Sequence, residues 1–453
     1  MKTGATSAES GPQRLERVLG WRHLLVYGMT VMQVVAPIPI FGLLEQRSNG
    51  NSVTTVLIGM LPMAFTAVSY GRMAARYPVS GSSYSYVSRA LHPQLGFLIG
   101  WAILLDYLMI PLISAIIPAL AIQRAVPHAP LPLLTFLIVA AMTVLNLGGI
   151  RATMRANTGL LLASSAAVLV FATLTILFLH RTHGVGSFGR VYDAATFQPH
   201  AILAGISLAA LSYIGFDGLT TLSEDAINPG RDMPLVTVLV VLLTGLLSAV
   251  ELYLLHSVIP DWHTTDPNTS YLDVMRIVGG ASLFLVFLVV ISASQFACGL
   301  SIQVSAARLL YGMGRDGALP RSLFGYLDPK RRTPSRNIVL IGTVTFLGAL
   351  AIPFDHALDL LNFGAFLAYM GVNLAALWTF FVRRSGPRAR RLLWDFVVPL
   401  SGFIGCLIFW LGLPERAKIT GGVWFLVGLG YCAIKTRGFR TPAVSLDLSG
   451  GRQ

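Results

Sequence analysis

The sequence predicts an all-α integral membrane protein of twelve transmembrane helices, arranged as two inverted five-helix repeats with two further helices. Of its 453 residues, 54% are hydrophobic and only 12% are charged, which is too apolar for a soluble globular protein. Apolar runs recur along the chain, and each is long enough to cross a hydrocarbon core about 30 Å thick. The first and sixth runs are interrupted near their middles by helix-breaking residues. Interrupted segments at corresponding positions of two halves are typical of inverted-repeat transporters.

The twelve predicted spans divide the chain into five regions. These are an N-terminal tail (1–21), a first repeat (22–198), a second repeat (199–383), two further spans (384–436) and a C-terminal tail (437–453). The spans cover residues 23–45, 53–75, 95–123, 131–149, 158–180, 200–223, 235–259, 279–308, 337–353, 357–382, 395–413 and 421–436.

The basic residues predict the orientation of these spans. If both termini are cytoplasmic, 26 of the 33 Lys and Arg residues lie on the cytoplasmic side, as the positive-inside rule requires. Membrane orientation therefore explains the net charge of +13 better than nucleic-acid binding does. We expect a multi-pass protein of the plasma membrane, which is the inner membrane in a Gram-negative bacterium, embedded in the lipid bilayer.

The break in the first span follows from two prolines. Pro37 and Pro39 have no amide hydrogen, so the carbonyls of Gln33 and Val35 lose their helical partners. Each proline also disfavours helical angles in the residue before it. The alternative interpretation is an ordinary proline kink, which is common in membrane helices.

The break in the sixth span lies within Ser207–Pro234, where Gly215, Asp217 and Gly218 interrupt an apolar helix. Glycine leaves the helical conformation at little cost. An acid inside a membrane usually faces a cavity or a partner rather than lipid. The alternative here is a simple kink in which Asp217 bonds to a neighbouring helix.

Five motifs resemble those of the amino acid–polyamine–organocation (APC) permeases, and in particular their bacterial putrescine importer branch. They are GFLIGWAILLDY (Gly96–Tyr107), SYIGFDGLTTLSEDAIN (Ser212–Asn228), LLYGMGRDGALP (Leu309–Pro320), RTPSRN (Arg332–Asn337) and LNFGAFLAYMGVN (Leu361–Asn373). The resemblance implies the LeuT-like fold, with helices 1 and 6 broken, and proton- or sodium-coupled movement of amino acids or amines. A transport-inactive amino acid sensor on the same fold is the alternative from another class.

The two breaks predict the substrate site, because free carbonyls at the end of a half-helix attract a substrate ammonium. The turn at residues 36–42 keeps few amides for a carboxylate, and the first acid after it is Glu45. We therefore expect a small amine-bearing substrate, either a neutral amino acid or a mono- or diamine such as putrescine. The predicted substrate-binding residues are Gln33, Val35, Ala36, Ile38, Ile40, Phe41, Gly42, Asp106, Tyr107, Leu211, Ser212, Tyr213, Gly215 and Phe216.

Three membrane acids and two serines are candidates for ion coupling. Asp217 and Glu251 are candidate proton carriers, and Asp106 is a further one unless it only ties two helices together. Sodium coupling would combine carbonyls of the first span with the hydroxyls of Ser301 and Ser305 in the eighth. Some proton-coupled relatives place a lysine in the fifth span, but this span has only serines at that level. Proton coupling is the favoured prediction.

Other classes of protein lack support in the sequence. An intramembrane enzyme needs clustered catalytic or metal-binding residues, whereas the nine histidines are scattered and no HExxH or Gly-x-Ser-x-Gly motif occurs. A channel needs a filter-like loop or a ring-forming charged stripe, and neither is visible. The three cysteines are spaced neither as disulfide partners nor as metal ligands. We predict no enzyme activity, metal or cofactor, and the sequence does not indicate an oligomeric state.

Overall fold

The computed structural model describes residues 17–79, 81–126, 128–182, 191–259, 261, 263, 267, 270–383 and 391–441. Within these residues the chain forms sixteen α-helices. They are α1 (Trp21–Val31), α2 (Phe41–Ser48), α3 (Ser52–Arg76), α4 (Ser82–Ala90), α5 (Pro93–Ala125), α6 (Leu131–Leu147), α7 (Ile150–Thr182), α8 (Pro199–Ala209), α9 (Phe216–Thr220), α10 (Pro229–Val258), α11 (Ser270–Arg315), α12 (Arg321–Phe324), α13 (Ser335–Ala351), α14 (Phe354–Leu377), α15 (Val398–Leu411) and α16 (Glu415–Lys435).

Nine helical segments of the described chain are long and apolar enough to cross a membrane. Two of the remaining predicted spans correspond to α6 and α13, which are apolar but have only 17 residues each. The first predicted span corresponds to two short helices, α1 and α2, separated by residues 32–40. The structure therefore agrees with an all-α membrane protein, whereas the number of crossings stays a prediction.

The helix α11 is longer than the eighth predicted span, which began at residue 279. It starts at Ser270 and bends at Gly280, whose φ of +65° and ψ of −158° are essentially confined to glycine. No atom lies within 4 Å of the position that a Cβ on Gly280 would occupy. Gly280 is therefore required by the backbone conformation and not by close packing.

The central helices pack tightly and leave an apolar outer surface. The helix α10 lies along α3, while α5 lies against both α11 and α14. On the outside, large apolar side chains such as Leu162, Leu169 and Leu347 are more than half exposed. Contact with lipid tails is favourable for such a surface, whereas contact with water is unfavourable, so this surface is expected to face the bilayer.

The two ends of the bundle differ. We call the end that carries α4 and α12 the α4 end, and the opposite end, with α2 and the start of α14, the α2 end. At the α4 end Leu19 pairs with residues 225–227 through backbone hydrogen bonds of 2.9 to 3.0 Å. Beside this pairing Arg308 of α11 forms a buried ion pair with Asp225. These contacts join the segment before α1 to the connection between α9 and α10.

Candidate substrate site

The first break lies between α1 and α2, where the backbone makes successive tight turns. Gln33 has a φ of +56°, and the amides of Ala36 and Ile38 donate to the carbonyls of Gln33 and Val35 at 3.1 and 3.2 Å. The sequence predicts that these carbonyls are free of helical partners. Each accepts one turn bond instead and keeps a second lone pair for a ligand.

The second break lies between α8 and α9 and packs directly against the first. A 3₁₀ turn follows α8, and Gly215 then takes a φ of +113° before α9 begins. A Cβ on Gly215 would lie 2.6 Å from Cγ1 of Val31, the last residue of α1. Only glycine satisfies both the backbone angle and this close approach. The two breaks therefore meet at one point of the bundle.

A cavity of about 800 Å³ extends from the two breaks toward the α2 end. Its wall is mostly apolar and is formed by both breaks together with α2, α5, α11 and α14. The lining residues are Val31, Met32, Gln33, Ala36, Pro39, Ile40, Leu43, Ile110, Ile113, Ser114, Ile117, Leu120, Gln123, Leu211, Ile214, Tyr271, Leu272, Leu288, Gln295, Cys298, Phe354, Leu358 and Leu361. A concave, largely apolar cavity with a few polar groups is typical of a small-molecule site.

Three polar side chains of the cavity wall converge in one place, which we call the amide patch (Gln33, Ser114 and Gln295). Gln33 Nε2 and Ser114 Oγ both donate to Gln295 Oε1, at 3.2 and 3.3 Å. Gln33 Oε1 is buried and accepts no hydrogen bond from the described residues. The neighbouring Cys298 thiol donates to the carbonyl of Val31 at 3.0 Å. The patch therefore presents an unused amide oxygen beside the end of α1.

The predicted substrate residues fall into two groups. Gln33, Ala36, Ile40 and Leu211 line the cavity. The others lie in the surrounding core: Val35, Ile38, Phe41, Gly42, Asp106, Tyr107, Ser212, Tyr213, Gly215 and Phe216. Tyr213, for example, turns toward α3 and donates to the carbonyl of Val56 at 2.9 Å. Ser114 and Gln295 were not among the residues predicted from the sequence, although a glutamine inside an apolar span is a signal of a functional site.

Asp217 lies beyond the cavity wall, toward the α4 end, and accepts two phenol hydrogen bonds. Tyr107 donates to Oδ2 at 2.6 Å and Tyr369 donates to Oδ1 at 2.8 Å. The carboxyl group is fully buried and lies in the first turn of α9. Burial disfavours the ionised form of this carboxyl group, and the two phenol donors offset part of that cost. Tyr107 therefore contacts Asp217 and does not line the cavity.

An aromatic plug (Tyr70, Tyr86, Phe216 and Tyr369) fills the space around Asp217. The Phe216 ring centroid lies 5.3 Å from that of Tyr70 and 5.2 Å from that of Tyr369. Tyr86 of α4 meets Tyr70 edge to face at 6.3 Å. All four rings are fully buried. The plug separates the cavity from the α4 end.

Two other acids are buried with neither carboxyl oxygen hydrogen-bonded to a described residue. Both oxygens of Asp106 on α5 and both oxygens of Glu251 on α10 lack a partner among the described residues. Asp106 is the neighbour in sequence of Tyr107, which donates to Asp217. An unpartnered acid in a membrane is costly and is a functional candidate by default.

The predicted sodium ligands Ser301 and Ser305 contact α1 through a tyrosine. The hydroxyl of Tyr27 donates to the carbonyl of Ser301 at 2.7 Å and lies 3.0 Å from Ser305 Oγ. The Ser301 hydroxyl itself donates to the carbonyl of Ala297 at 2.8 Å. In this conformation the phenol of Tyr27 occupies the space between α1 and these serines.

The described residues offer no obvious place for a metal. Among them, no group of three or more His, Cys, Asp and Glu side chains could hold a metal ion. The three cysteines are buried free thiols on different helices.

Comparisons with known proteins agree with this architecture. The model of the amino acid permease family matches residues 25–434. The low-affinity putrescine importer PlaP of Escherichia coli is 30% identical over 94% of this chain and 95% of its own. The branched-chain amino acid permease BcaP of Lactococcus lactis is 26% identical over 91% of this chain and 93% of its own. The methylthioribose transporter of Bacillus subtilis is 25% identical, with coverages of 93% and 94%.

These relatives are transporters and not enzymes, and their similarity extends over nearly the full length of both chains. The match to the family model likewise includes both broken helices and the cavity between them. The chain therefore belongs to the amino acid permease family of the APC superfamily.

Proposed function

We propose that this transporter imports a small amine-bearing substrate, an amino acid or a polyamine such as putrescine, by alternating access. The main observation that supports this proposal is the cavity between the two broken helices. It extends to the α2 end and is closed by the aromatic plug at the α4 end. The proposal includes the LeuT-like arrangement of twelve spans with both termini cytoplasmic. In that orientation the α4 end faces the cytoplasm and the structure is outward-facing.

The substrate ammonium is proposed to bind where the two breaks meet. The second lone pairs of the turn carbonyls and Gln33 Oε1 are acceptors there. Such acceptors hold a cation without a formal charge of their own. The relatives support a small substrate, since those compared carry putrescine, branched-chain amino acids and methylthioribose.

Opening toward the α4 end is proposed to couple transport to a proton. The aromatic plug must separate for the substrate to leave, and Tyr369 of the plug is also a donor to Asp217. Opening also lets water reach this buried carboxyl group, and hydration stabilises the carboxylate relative to the protonated carboxyl group. Asp217 therefore releases its proton when the plug opens toward the cytoplasm, as proton-driven import requires, and Asp106, next to Tyr107 on α5, is a further candidate carrier. Glu251 is a second candidate carrier on α10.

Sodium coupling is the alternative, and one observation favours it. A small void of about 10 Å³ lies beside the end of α1, lined by residues that include Thr30, Ser164 and Ser294. The hydroxyls of Ser164 and Ser294 are 2.7 Å apart. Oxygen ligands around a helix end can coordinate a cation in transporters of this architecture.

Flux measurements in proteoliposomes test the proposal. A labelled amine or amino acid should accumulate against its gradient when the lumen is alkaline relative to the bath, and an absence of any flux would favour the sensor. Asp217→Asn keeps the shape but removes the exchangeable proton, so substrate exchange should survive while pH-driven accumulation is lost. Glu251→Gln makes the same change, from a carboxyl group to an amide, at the second candidate proton carrier and is the matched variant. Full pH-driven accumulation by Asp217→Asn would remove Asp217 from the coupling mechanism.

Labelling of single cysteines in intact cells tests the orientation. A cysteine placed at Asp193 should react with an impermeant thiol reagent added outside, while one placed at Arg331 should not. Reaction of both from the same side would refute the twelve-span arrangement.

A further inference from the structure

We infer that the substrate carries a single ammonium group on an apolar body, so that the cavity selects against diamines. This inference rests on the proposed function and narrows its substrate class. It depends on the charges around the cavity, on the direction in which each nearby acid points, and on the chemistry of the wall away from the breaks.

The described part of the cavity wall carries no formal charge. Among the described residues that line it there is no Asp, Glu, Lys, Arg or His. The two polar side chains outside the amide patch that lie nearest the α2 end are Gln123 and Tyr271. Gln123 is already engaged, because its Nε2 donates to the carbonyl of Ala129 at 3.2 Å.

Acids near the two breaks do not line the cavity. Glu45, the first acid after the break, bonds to Ser52 and to Nδ1 of His256 at 3.1 Å. Asp217 accepts hydrogen bonds from Tyr107 and Tyr369, and Asp106 is likewise buried outside the cavity lining. None of these three acids therefore supplies a counter-charge to the wall away from the breaks.

The remainder of the wall is hydrocarbon. Away from the breaks it consists of side chains such as Ile113 and Ile117 of α5 and Leu358 and Leu361 of α14. An ammonium placed there loses hydration without gaining a counter-charge, which is unfavourable. A methyl group placed there is removed from water, which favours binding, and each buried methylene tightens binding by about fourfold. The same part of the wall therefore weakens the binding of a diamine and strengthens the binding of an alkyl chain.

Two isosteric ligand pairs test the inference directly. Putrescine and n-pentylamine differ by one terminal ammonium in place of a methyl group, and ornithine and norleucine differ in the same way. Each ligand is titrated against the purified full chain, with thermal stabilisation as the measure of binding. We expect the apolar member of at least one pair to bind about 100-fold more tightly than its diammonium counterpart.

A charge placed on the apolar wall provides the second test. Leu358→Asp should improve putrescine binding by about tenfold or more and weaken n-pentylamine, because it supplies the missing counter-charge. Leu358→Asn is the matched control, since it is equally polar and similar in size but has no charge. An equal gain in the Asn variant would overturn the inference. If the Asp variant does not fold, the ligand pairs decide alone.

The possible outcomes separate this inference from the proposed function. If putrescine or ornithine binds as tightly as its apolar counterpart, the inference is refuted while an amine transporter remains. If none of the four ligands binds, the amine-bearing substrate itself is refuted, and this inference with it. Tight binding restricted to n-pentylamine or norleucine supports both the inference and the proposed function.

Discussion

Gly215→Ala is the most direct test of how the two breaks are held together. The φ of +113° at Gly215 costs an alanine about 1–2 kcal/mol. The new Cβ would also lie 2.6 Å from Cγ1 of Val31, and overpacking of this kind costs about 1–3 kcal/mol. Val31 is β-branched, helical and buried, so its side chain cannot easily rotate away. We expect a loss of about 2–4 kcal/mol in the free energy of unfolding, after the gain of about 0.4–1 kcal/mol from a less flexible unfolded chain.

Reversible unfolding in mixed micelles by denaturant titration measures this change. The double variant Val31→Ala/Gly215→Ala removes the clash and should show a favourable coupling energy of about 1 kcal/mol or more. Gly422→Ala on α16 is the control, because no atom lies within 4 Å of its added Cβ; it should be neutral or slightly stabilising. If Gly215→Ala unfolds like the wild type, or if the double variant shows no coupling, the argument about the two breaks is wrong.

Three further predictions follow from other buried contacts. Arg308→Met leaves Asp225 buried without its partner and should cost about 3–5 kcal/mol of unfolding free energy; adding Asp225→Asn should restore most of it, and no restoration would argue against the ion pair. Leu43→Cys places a thiol at a partly exposed position of the cavity wall, so a small thiol reagent should label it and substrate should slow the reaction, as read by mass spectrometry; equal labelling with and without substrate would place the substrate elsewhere. Ser164→Ala should leave pH-driven uptake within about twofold, because neither hydrogen bond that it removes, to the Leu160 carbonyl and to the Ser294 hydroxyl, involves a proposed proton carrier; sodium-dependent uptake that this variant abolishes would instead support the sodium site.

The positions of the breaks could be predicted because their causes are local. Two prolines remove amides from the first span, and Gly215 permits a backbone angle that other residues rarely adopt. The membrane class is equally local, since it depends on the length and composition of the apolar runs. The extra length of α11 and its bend at Gly280 were not predicted, because the pair Gly279 and Gly280 permits a bend but does not show whether the helix bends there or begins after it.

The partners of the polar side chains required the tertiary structure. A sequence places Tyr107, Asp217 and Tyr369 in three spans but does not give the rotation of one helix against another. The structure brings them together across 110 and 152 residues of chain. Tyr107 donates a hydrogen bond to Asp217 and does not line the cavity. Tyr27 likewise reaches Ser301 across 274 residues.

The sequence by itself therefore determined the membrane class, the family resemblance and the two breaks, since each depends on neighbouring residues. Only the tertiary structure decided that Gln33 meets Gln295 and that Glu45 turns away toward His256. Adjacent residues on a helix point about 100° apart, so a small rotation of a helix exchanges a cavity-lining side chain for a buried one. Such rotations are determined by packing among all the helices, and this is why the chemistry of the cavity wall was not readable from any single span.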